Sequence, residues 1–421
     1  MYKTFSAFLA SRLRLGNNSP STLTGAIIAV AGVAASVTIM LMTIAISDGF
    51  NNGIKSKLAG FEPALSVSAP FSYVSGNVEE FITLDPDIKS AISSVIPNSS
   101  TTLSLRQPAI IKTPEDFEAI ILRGYGADFN TDFLKSNLIE GRLPHFGNSD
   151  ADTCIVISSY IAHKLGLKVG QRVNTFFFVN DLVKARRYTI SGIYDSGFVD
   201  FDKTIAYGSL ASLQQLNNIS ENTGTIIEIN TPGPLNRAIN EQQSNDLQDK
   251  ISITSLSNSN PDIPVVGSIS NNGAVYLNWL DLIETNVVVI FIIMCLVASL
   301  TLISSLFIII LDRIPTIGLL RALGATKGQI KSIFLHIAMK LVGLGVVIGN
   351  IIALGLGYLQ QQYHLVSLDP EMYYLTSVPY EFNWPYIIGI NIGTIILAWT
   401  VLILPARLAG NISPARTIRY E

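Results

Sequence analysis

Charge and cysteine are both scarce in this chain, and the familiar phosphate, metal and nucleophile patterns are missing. Only 14% of its 421 residues are charged, against 48% hydrophobic. Its two cysteines fall far apart, Cys154 in a long mixed region and Cys295 inside an uncharged run, so no disulfide framework is expected. Both should behave as small hydrophobes. The four histidines, His145, His163, His336 and His364, have no metal-ligand spacing, and no metal site is expected. No G-x-x-x-x-G-K-[ST] loop occurs, so the chain is not expected to bind and hydrolyse ATP itself. H-E-x-x-H, G-x-S-x-G and C-x-x-C are absent too. The acidic pairs Glu79-Glu80 and Glu115-Asp116 lie in polar stretches, where a solvated face explains them better than acid–base work. A net charge of −3 without a basic patch outside the flanks of the apolar runs argues against nucleic acid. No catalytic residue emerges.

What the chain does have is long uncharged segments and a mean hydropathy of +0.41. Residues 23–47, 285–311, 341–359 and 382–406 are each long enough to cross about 30 Å of hydrocarbon, which takes roughly 20 residues. The first follows Lys3, Arg12 and Arg14 but is longer than a signal-peptide core of about 7–15 residues, so an uncleaved anchor is expected. Basic residues set the orientation. They precede the first run, lie between the second and third as Arg313, Arg321, Lys327 and Lys331, and follow the fourth as Arg407, Arg416 and Arg419. Residues 360–381 carry no Lys or Arg, only Asp369, Glu371 and Glu381. Both termini are therefore expected in the cytoplasm of a multi-pass protein. The organisation reads as a cytoplasmic N-terminus 1–22, spans 23–47, 285–311, 335–359 and 382–406, and a cytoplasmic tail 407–421. A large external region 48–284 and a short external loop 360–381 complete it, with a cytoplasmic segment at 312–334.

The external region is long enough for its own core, in two lobes. Ala64–Ser68, Ala109–Lys112 and Thr225–Ile229 alternate or run like strands, and Pro86–Val95 reads as a helix behind Asp85 with Pro97 ending it. Residues 138–144 read as a turn, followed by a buried strand at 154–157 and a short helix from Ser158 or Ser159 to Leu167. Strands 173–179 and 185–193 join around Asn180-Asp181, and the polar stretch 238–260 reads as loop or mobile helix. Within the spans, Gly345, Gly349, Ala353 and Gly357 recur every four residues, as do Gly389 and Gly393, which suits close helix packing. Asn350 should face protein or a cavity rather than lipid.

The cytoplasmic segment is the most punctuated. Pro315 suits a first helical position; Ile317, Leu320 and Leu323 recur at helical spacing; Gly324 sits where a left-handed C-terminal cap belongs. Thr326 and Gln329 have capping-box spacing and start a second helix.

These residues carry a resemblance. Ile317-Gly318-Leu319-Leu320-Arg321-Ala322-Leu323-Gly324-Ala325-Thr326 resembles the I-G-[IL]-L-[KR]-A-L-G-A-[TS] signature of ABC-transporter permeases of the MacB/FtsX superfamily. Pro405-Ala406-Arg407 and Ile412-Ser413-Pro414-Ala415 resemble that superfamily's C-terminal ending. Asp48-Gly49-Phe50, Gly60-Phe61-Glu62-Pro63, Tyr373-Tyr374-Leu375, Val378-Pro379 and Asn383-Trp384 are similar to its lipoprotein-releasing (LolC/LolE) branch.

The resemblance implies four transmembrane α-helices with a large external α/β domain inserted between helices 1 and 2. Its membrane-proximal α/β lobe would cover about 48–117 and 225–284, and its inserted, mainly β lobe about 118–224. It further implies a non-catalytic subunit of an inner-membrane complex, whose ATP and Mg sit on a separate cytoplasmic ABC ATPase dimer. A second permease chain, the same or homologous, a lipoprotein substrate and a periplasmic lipoprotein carrier complete the expected partners. MacB-like export of peptides or amphiphiles, and FtsX-like signalling to cell-wall hydrolases, are the alternatives. Helix 315–323 would couple to the ATPase through Ile317, Gly318, Leu320, Arg321, Leu323, Gly324 and Ala325. Thr316 stands where many members have an acidic residue. Moving a 14-carbon tail into water costs on the order of 10 kcal/mol at about 0.8 per methylene, so cargo needs an apolar shelter. Met40, Leu41 and Ile44 with Val289 and Ile293 are its expected lining, and Arg186 and Arg187 on a short hairpin are the expected carrier contacts.

Overall fold

The computed structural model describes residues 20–70, 81–180, 182–231, 233, 235–257 and 262–410. Lys3, Arg12, Arg14, Arg416, Arg419, the Glu79-Glu80 pair, Asp181 and residues 412–415 lie outside them. The described chain divides into two compact units. One, helical, draws on Met1–Asn51, Leu280–Ser367 and Ser377–Glu421; the other, built on a sheet, on Asn52–Trp279 and Leu368–Thr376.

The labelled helices are α1 (Pro20–Phe61), α2 (Pro86–Val95), α3 (Ser159–Leu165), α4 (Leu210–Asn217), α5 (Arg237–Ser257), α6 (Ala274–Asp312), α7 (Ile314–Ala322), α8 (Lys327–Tyr363) and α9 (Trp384–Gly410). Four of them, α1, α6, α8 and α9, are long and apolar enough to cross a membrane. At 42 residues α1 is about 60 Å long, twice the hydrocarbon thickness, so it continues as helix well past residue 47. Helix α6 likewise begins before residue 285.

Small residues let α8 approach α1. A Cβ on Gly345 would meet Val33 Cβ at 2.8 Å, and one on Gly349 would meet the Ala34 carbonyl oxygen at 2.8 Å. Ala353 is fully buried, and the Tyr380 ring fills the notch at Gly357. The expected seam along α8 is therefore present. Gly389 and Gly393 correct the parallel expectation for α9: nothing lies within 4 Å of a Cβ at either. Helix α9 instead turns inward through Ile387, Ile390, Ala398 and Leu402, one face away from those glycines. Asn350 faces protein, exchanging amide hydrogen bonds with Asn391 at 2.7 and 3.0 Å.

The sheet unit contains β1 (Leu65–Ser68), β2 (Ile82–Thr83), β3 (Ser100–Lys112), β4 (Phe117–Tyr125), β5 (Leu138–Gly141), β6 (Cys154–Ser158), β7 (Arg172–Val179), β8 (Leu182–Tyr194), β9 (Ile205–Ser209), β10 (Thr223–Gly224), β11 (Ile226–Asn230) and β12 (Val265–Ser268). Ten strands form one sheet in the order β12-β1-β11-β3-β4-β9-β6-β8-β5, with β7 bridging β3 and β8. Strands β3, β4, β9, β6, β8 and β7 thus pair in a closed circuit. Thirteen-residue β3 serves both halves, pairing β11 over Ser100–Ser104 and β7 over Ala109–Lys112. The two expected lobes consequently share a strand, and one contiguous apolar core runs from Leu65 and Ile227 to Ile157 and Phe177.

One local expectation is corrected and one is narrowed. Residues 138–141 are a bulged strand on β8, with Gly141 at φ +84°, because Leu138 packs there instead of turning to solvent. Of the two alternatives for the polar stretch, residues 238–257 take the helix: Asn240, Ser244, Leu247 and Ile251 form a buried stripe with helical spacing, half of it polar. Elsewhere Ser158 caps α3, its hydroxyl accepting from the Ile161 amide at 3.1 Å, and Gly166 ends it at φ +63°.

Candidate coupling site

The segment between α6 and α8 folds as its punctuation implies. Pro315 occupies the first turn of α7, where a missing N–H costs no hydrogen bond. At the other end Gly324 adopts φ +93°, its N–H donates to the Arg321 carbonyl at 3.1 Å, and Ala325 N–H donates to the Leu320 carbonyl at 2.9 Å. This pair of bonds is a Schellman cap. Thr326 then opens α8 with a reciprocal box: Gln329 N–H donates to Thr326 Oγ1 at 3.3 Å, and Thr326 N–H to Gln329 Oε1 at 2.8 Å.

Helix α7 divides its residues between two faces. Ile317, 1% exposed, and buried Gly318 turn inward. Ile317 and Leu320 close over Ile330, Ile333, Phe334 and Ile337 of α8, around a residual cavity of about 20 Å³. On the other face Leu319 is 63% and Leu323 77% exposed, with Ala322 and Gly324 exposed beside them. Arg321 is half-buried, and Ala325 packs against the helical core. Of the seven expected coupling residues, Ile317, Gly318 and Leu320 therefore hold α7 to its own bundle. Leu319, absent from the expected set, joins Leu323 on the open face. Its signal was legible, since Leu319 and Leu323 are four residues apart, but the stripe at 317, 320 and 323 masked it.

Other expected site residues scatter. Met40 and Leu41 are each 2% exposed in the helical core, and Ile44 packs against it. Val289 and Ile293 are on the exposed face of α6. None of the five lines an apolar groove in the helical unit. That groove, about 700 Å³, lies between α1 and α8 along Ala31, Ala35, Thr38 and Ile348. Thr38 keeps it apolar by donating its hydroxyl to Ala34 and Gly349 carbonyls at 2.8 and 3.1 Å. Arg186 and Arg187 are exposed on β8, with Arg187 Nε donating to Asn174 at 3.3 Å. The β7–β8 tip adds exposed Phe178, Leu182 and Val183, which sequence reading passed over.

A buried ionic cluster in the sheet unit had no sequence signal beyond Glu62 in its Gly-Phe-Glu-Pro motif. Glu62 follows α1 directly. Arg123 Nη2 reaches its carboxylate at 2.6 Å and Arg106 Nη1 at 3.1 Å. Arg123 also donates to the Phe61 carbonyl, and Arg106 Nη2 lies 3.2 Å from Glu228, which accepts from Tyr125 at 3.0 Å. Burial opposes ionisation of Glu62, yet the two guanidiniums outweigh it and hold the carboxyl below its ordinary range. The same carboxylates raise both arginines against the burial penalty.

Four membrane-length helices, an α/β unit between the first two and a doubly capped helix between the second and third define a polytopic membrane protein. Residues 26–242 match the MacB-like periplasmic core domain, and residues 288–414 the FtsX-like permease C-terminal domain. The chain belongs to the MacB/FtsX superfamily of ABC-transporter permeases. It is similar to the lipoprotein-releasing system transmembrane protein LolC of Xylella fastidiosa (strain 9a5c), 21% identical over 413 residues and 93% of each chain. The corresponding LolE of Haemophilus influenzae is 21% identical over 412 residues, 92% of each chain. Among solved structures, the periplasmic region of MacB from Actinobacillus actinomycetemcomitans aligns with 51% of this chain and 92% of its own. That alignment has a TM-score of 0.32 and 13% identity.

Proposed function

We propose that this chain is a transmembrane subunit of an ATP-driven complex that releases lipoproteins from a bacterial inner membrane toward the outer membrane. The observation that carries the coupling is α7: its inner face is committed to α8, and its outer face leaves Leu319 and Leu323 in the open between rigid caps. Such a face suits a groove on a cytoplasmic ABC ATPase dimer carrying ATP and Mg, with both permease termini on the same side. The cargo class rests on the LolC and LolE relatives, which match over more than nine-tenths of the chain. A second permease chain completes the complex, and the β7–β8 tip with Arg186 and Arg187 is the surface offered to a periplasmic carrier. The match to the MacB-like core domain makes export of peptides or amphiphiles the second reading.

Depletion in the native bacterium separates these readings. Processed lipoproteins accumulate at the inner membrane if release is the function. Normal lipoprotein sorting with sensitivity to exported amphiphiles supports the MacB-like reading, and normal sorting with failed cell separation supports signalling to cell-wall hydrolases.

A further inference from the structure

A domain inserted between two spans needs two covalent crossings, yet this chain crosses between its units four times. Residues Leu368–Thr376 belong to the sheet unit, while the chain on either side of them, up to Ser367 and from Ser377, belongs to the helical unit. The connection between α8 and α9 covers residues 364–383, far longer than the 2–8 residues or so that usually join packed helices. The extra length makes a built structure. Asp369 accepts from the Glu371 amide at 3.0 Å, starting the single helical turn Pro370–Tyr373, and Leu368 N–H donates to the Thr376 carbonyl at 3.0 Å. Tyr374 ends the turn at φ +59°, a left-handed conformation unusual outside glycine.

That conformation sets the Tyr374 ring among three aromatics from two other parts of the sheet unit. Its centroid is 5.0 Å from Phe198, 5.2 Å from Tyr276 and 6.0 Å from Trp279. Phe198 belongs to the β8–β9 connection, and Tyr276 and Trp279 to the start of α6. From the far end of α1, Lys57 Nζ donates to the Tyr374 carbonyl at 3.2 Å. Lys203 meets Glu371 at 3.1 Å. The loop between the last two spans is thus gripped by extensions of the first two and by the sheet.

We propose that residues 368–376 are a latch whose positioning residue is Tyr374, seated between Phe198, Tyr276 and Trp279, and that it ties α8 and α9 to the sheet unit so that all four spans drive it. Without the latch, ATP-driven movement of α8 and α9 reaches the sheet only through α1 and α6. The inference rests on the release reading above for its cargo, not for its geometry.

The test uses the full permease with its ATPase in proteoliposomes, a triacylated lipoprotein as cargo, and the variants Tyr374→Ala, Tyr374→Phe, Lys203→Glu, Glu371→Lys and the double charge swap. Tyr374→Ala should keep ATP turnover while release falls about tenfold, a loss within reach of coupling residues. Tyr374→Phe should restore release, because the ring makes these contacts, and the charge swap should recover what each single reversal loses. Deuterium uptake gives a cargo-independent readout: ATP should change protection of residues 199–209 in the unmodified chain and not in Tyr374→Ala. Normal release by Tyr374→Ala, or equal loss of release and ATP turnover, overturns the latch. If the unmodified complex releases no lipoprotein yet shows the ATP-dependent protection change, and Tyr374→Ala abolishes it, the cargo reading fails and the latch stands.

Discussion

Gly324 illustrates how a single backbone angle can matter more than the space around it. A Cβ there meets nothing within 4 Å, so the requirement for glycine comes from φ +93° alone. Valine at this position should cost about 1–3 kcal/mol of local strain. We expect Gly324→Val to reach the membrane and assemble partly while stimulated ATP hydrolysis in the purified complex is lost. Charge at the residue scale behaves differently. Glu62 is held low by Arg106 and Arg123, so its stabilisation is complete above the ordinary carboxyl value of 4.5 and is lost as pH falls through its depressed value. Removing Glu62 strands the buried Arg123, whose ion pair among the described residues is with Glu62, and Glu62→Ala should destabilise the solubilised chain by about 3–5 kcal/mol in thermal unfolding. Asp202 has the opposite sign. Burial, only partly offset by hydrogen bonds from Ser196, pushes it up to about 6, so its contribution is favourable at low pH and is lost as pH rises toward 6. Asp202→Asn should flatten the stability profile between about pH 4 and 6, readable from melting temperatures across that window.

Among elements, α7 is the one whose two faces separate stability from function. Ile317→Ala empties a packed position and should cost about 2–5 kcal/mol, lowering yield and melting temperature together. Leu319→Glu with Leu323→Glu should leave melting unchanged, since both side chains are exposed, but abolish co-purification of the ATPase. Retained co-purification in that double variant would count against α7 as the docking element. The α8–α9 pair depends on a different device. Asn350 and Asn391 satisfy each other, and replacing one by leucine strands its partner in an apolar bundle. Such interhelical bonds are worth about 0.6–1.7 kcal/mol. The double leucine variant should therefore melt closer to the unmodified chain than either single variant.

For the whole molecule, the closed strand circuit and the buried cluster make the sheet unit one cooperative body. Strand β3 links the β12-β1-β11 edge to the circuit, and Arg106 and Arg123, on β3 and β4, fasten both to the residue that follows α1. Orientation is checked at this scale too. Cysteine placed at Leu323 should react with a membrane-impermeant thiol reagent only in inverted vesicles, and cysteine at Leu182 only in intact spheroplasts. The reverse pattern would invert the topology on which the coupling proposal depends.

Legibility followed the range of the interaction concerned. The spans, the capping box at Thr326, the glycine cap at 324, the α8 small-residue seam and the Ser158 cap were all readable, because each depends on residues within one or two turns of each other. Periodicity could not say which neighbours would cover an apolar stripe. It therefore grouped Ile317 and Leu320 with Leu323 in one stripe, treated Gly389 and Gly393 as a seam, and missed the half-polar stripe of α5. The Glu62–Arg106–Arg123–Glu228 cluster joins residues up to 166 positions apart in the chain, and Tyr374 meets aromatics from two other elements. By itself the sequence determined a four-span permease with a capped inter-span helix, since hydrophobic length and backbone caps are local properties. Which faces are covered, how the strands close their circuit, and where the 368–376 loop belongs were decided only by tertiary structure, because burial and long-range ion pairing have no meaning until distant segments meet.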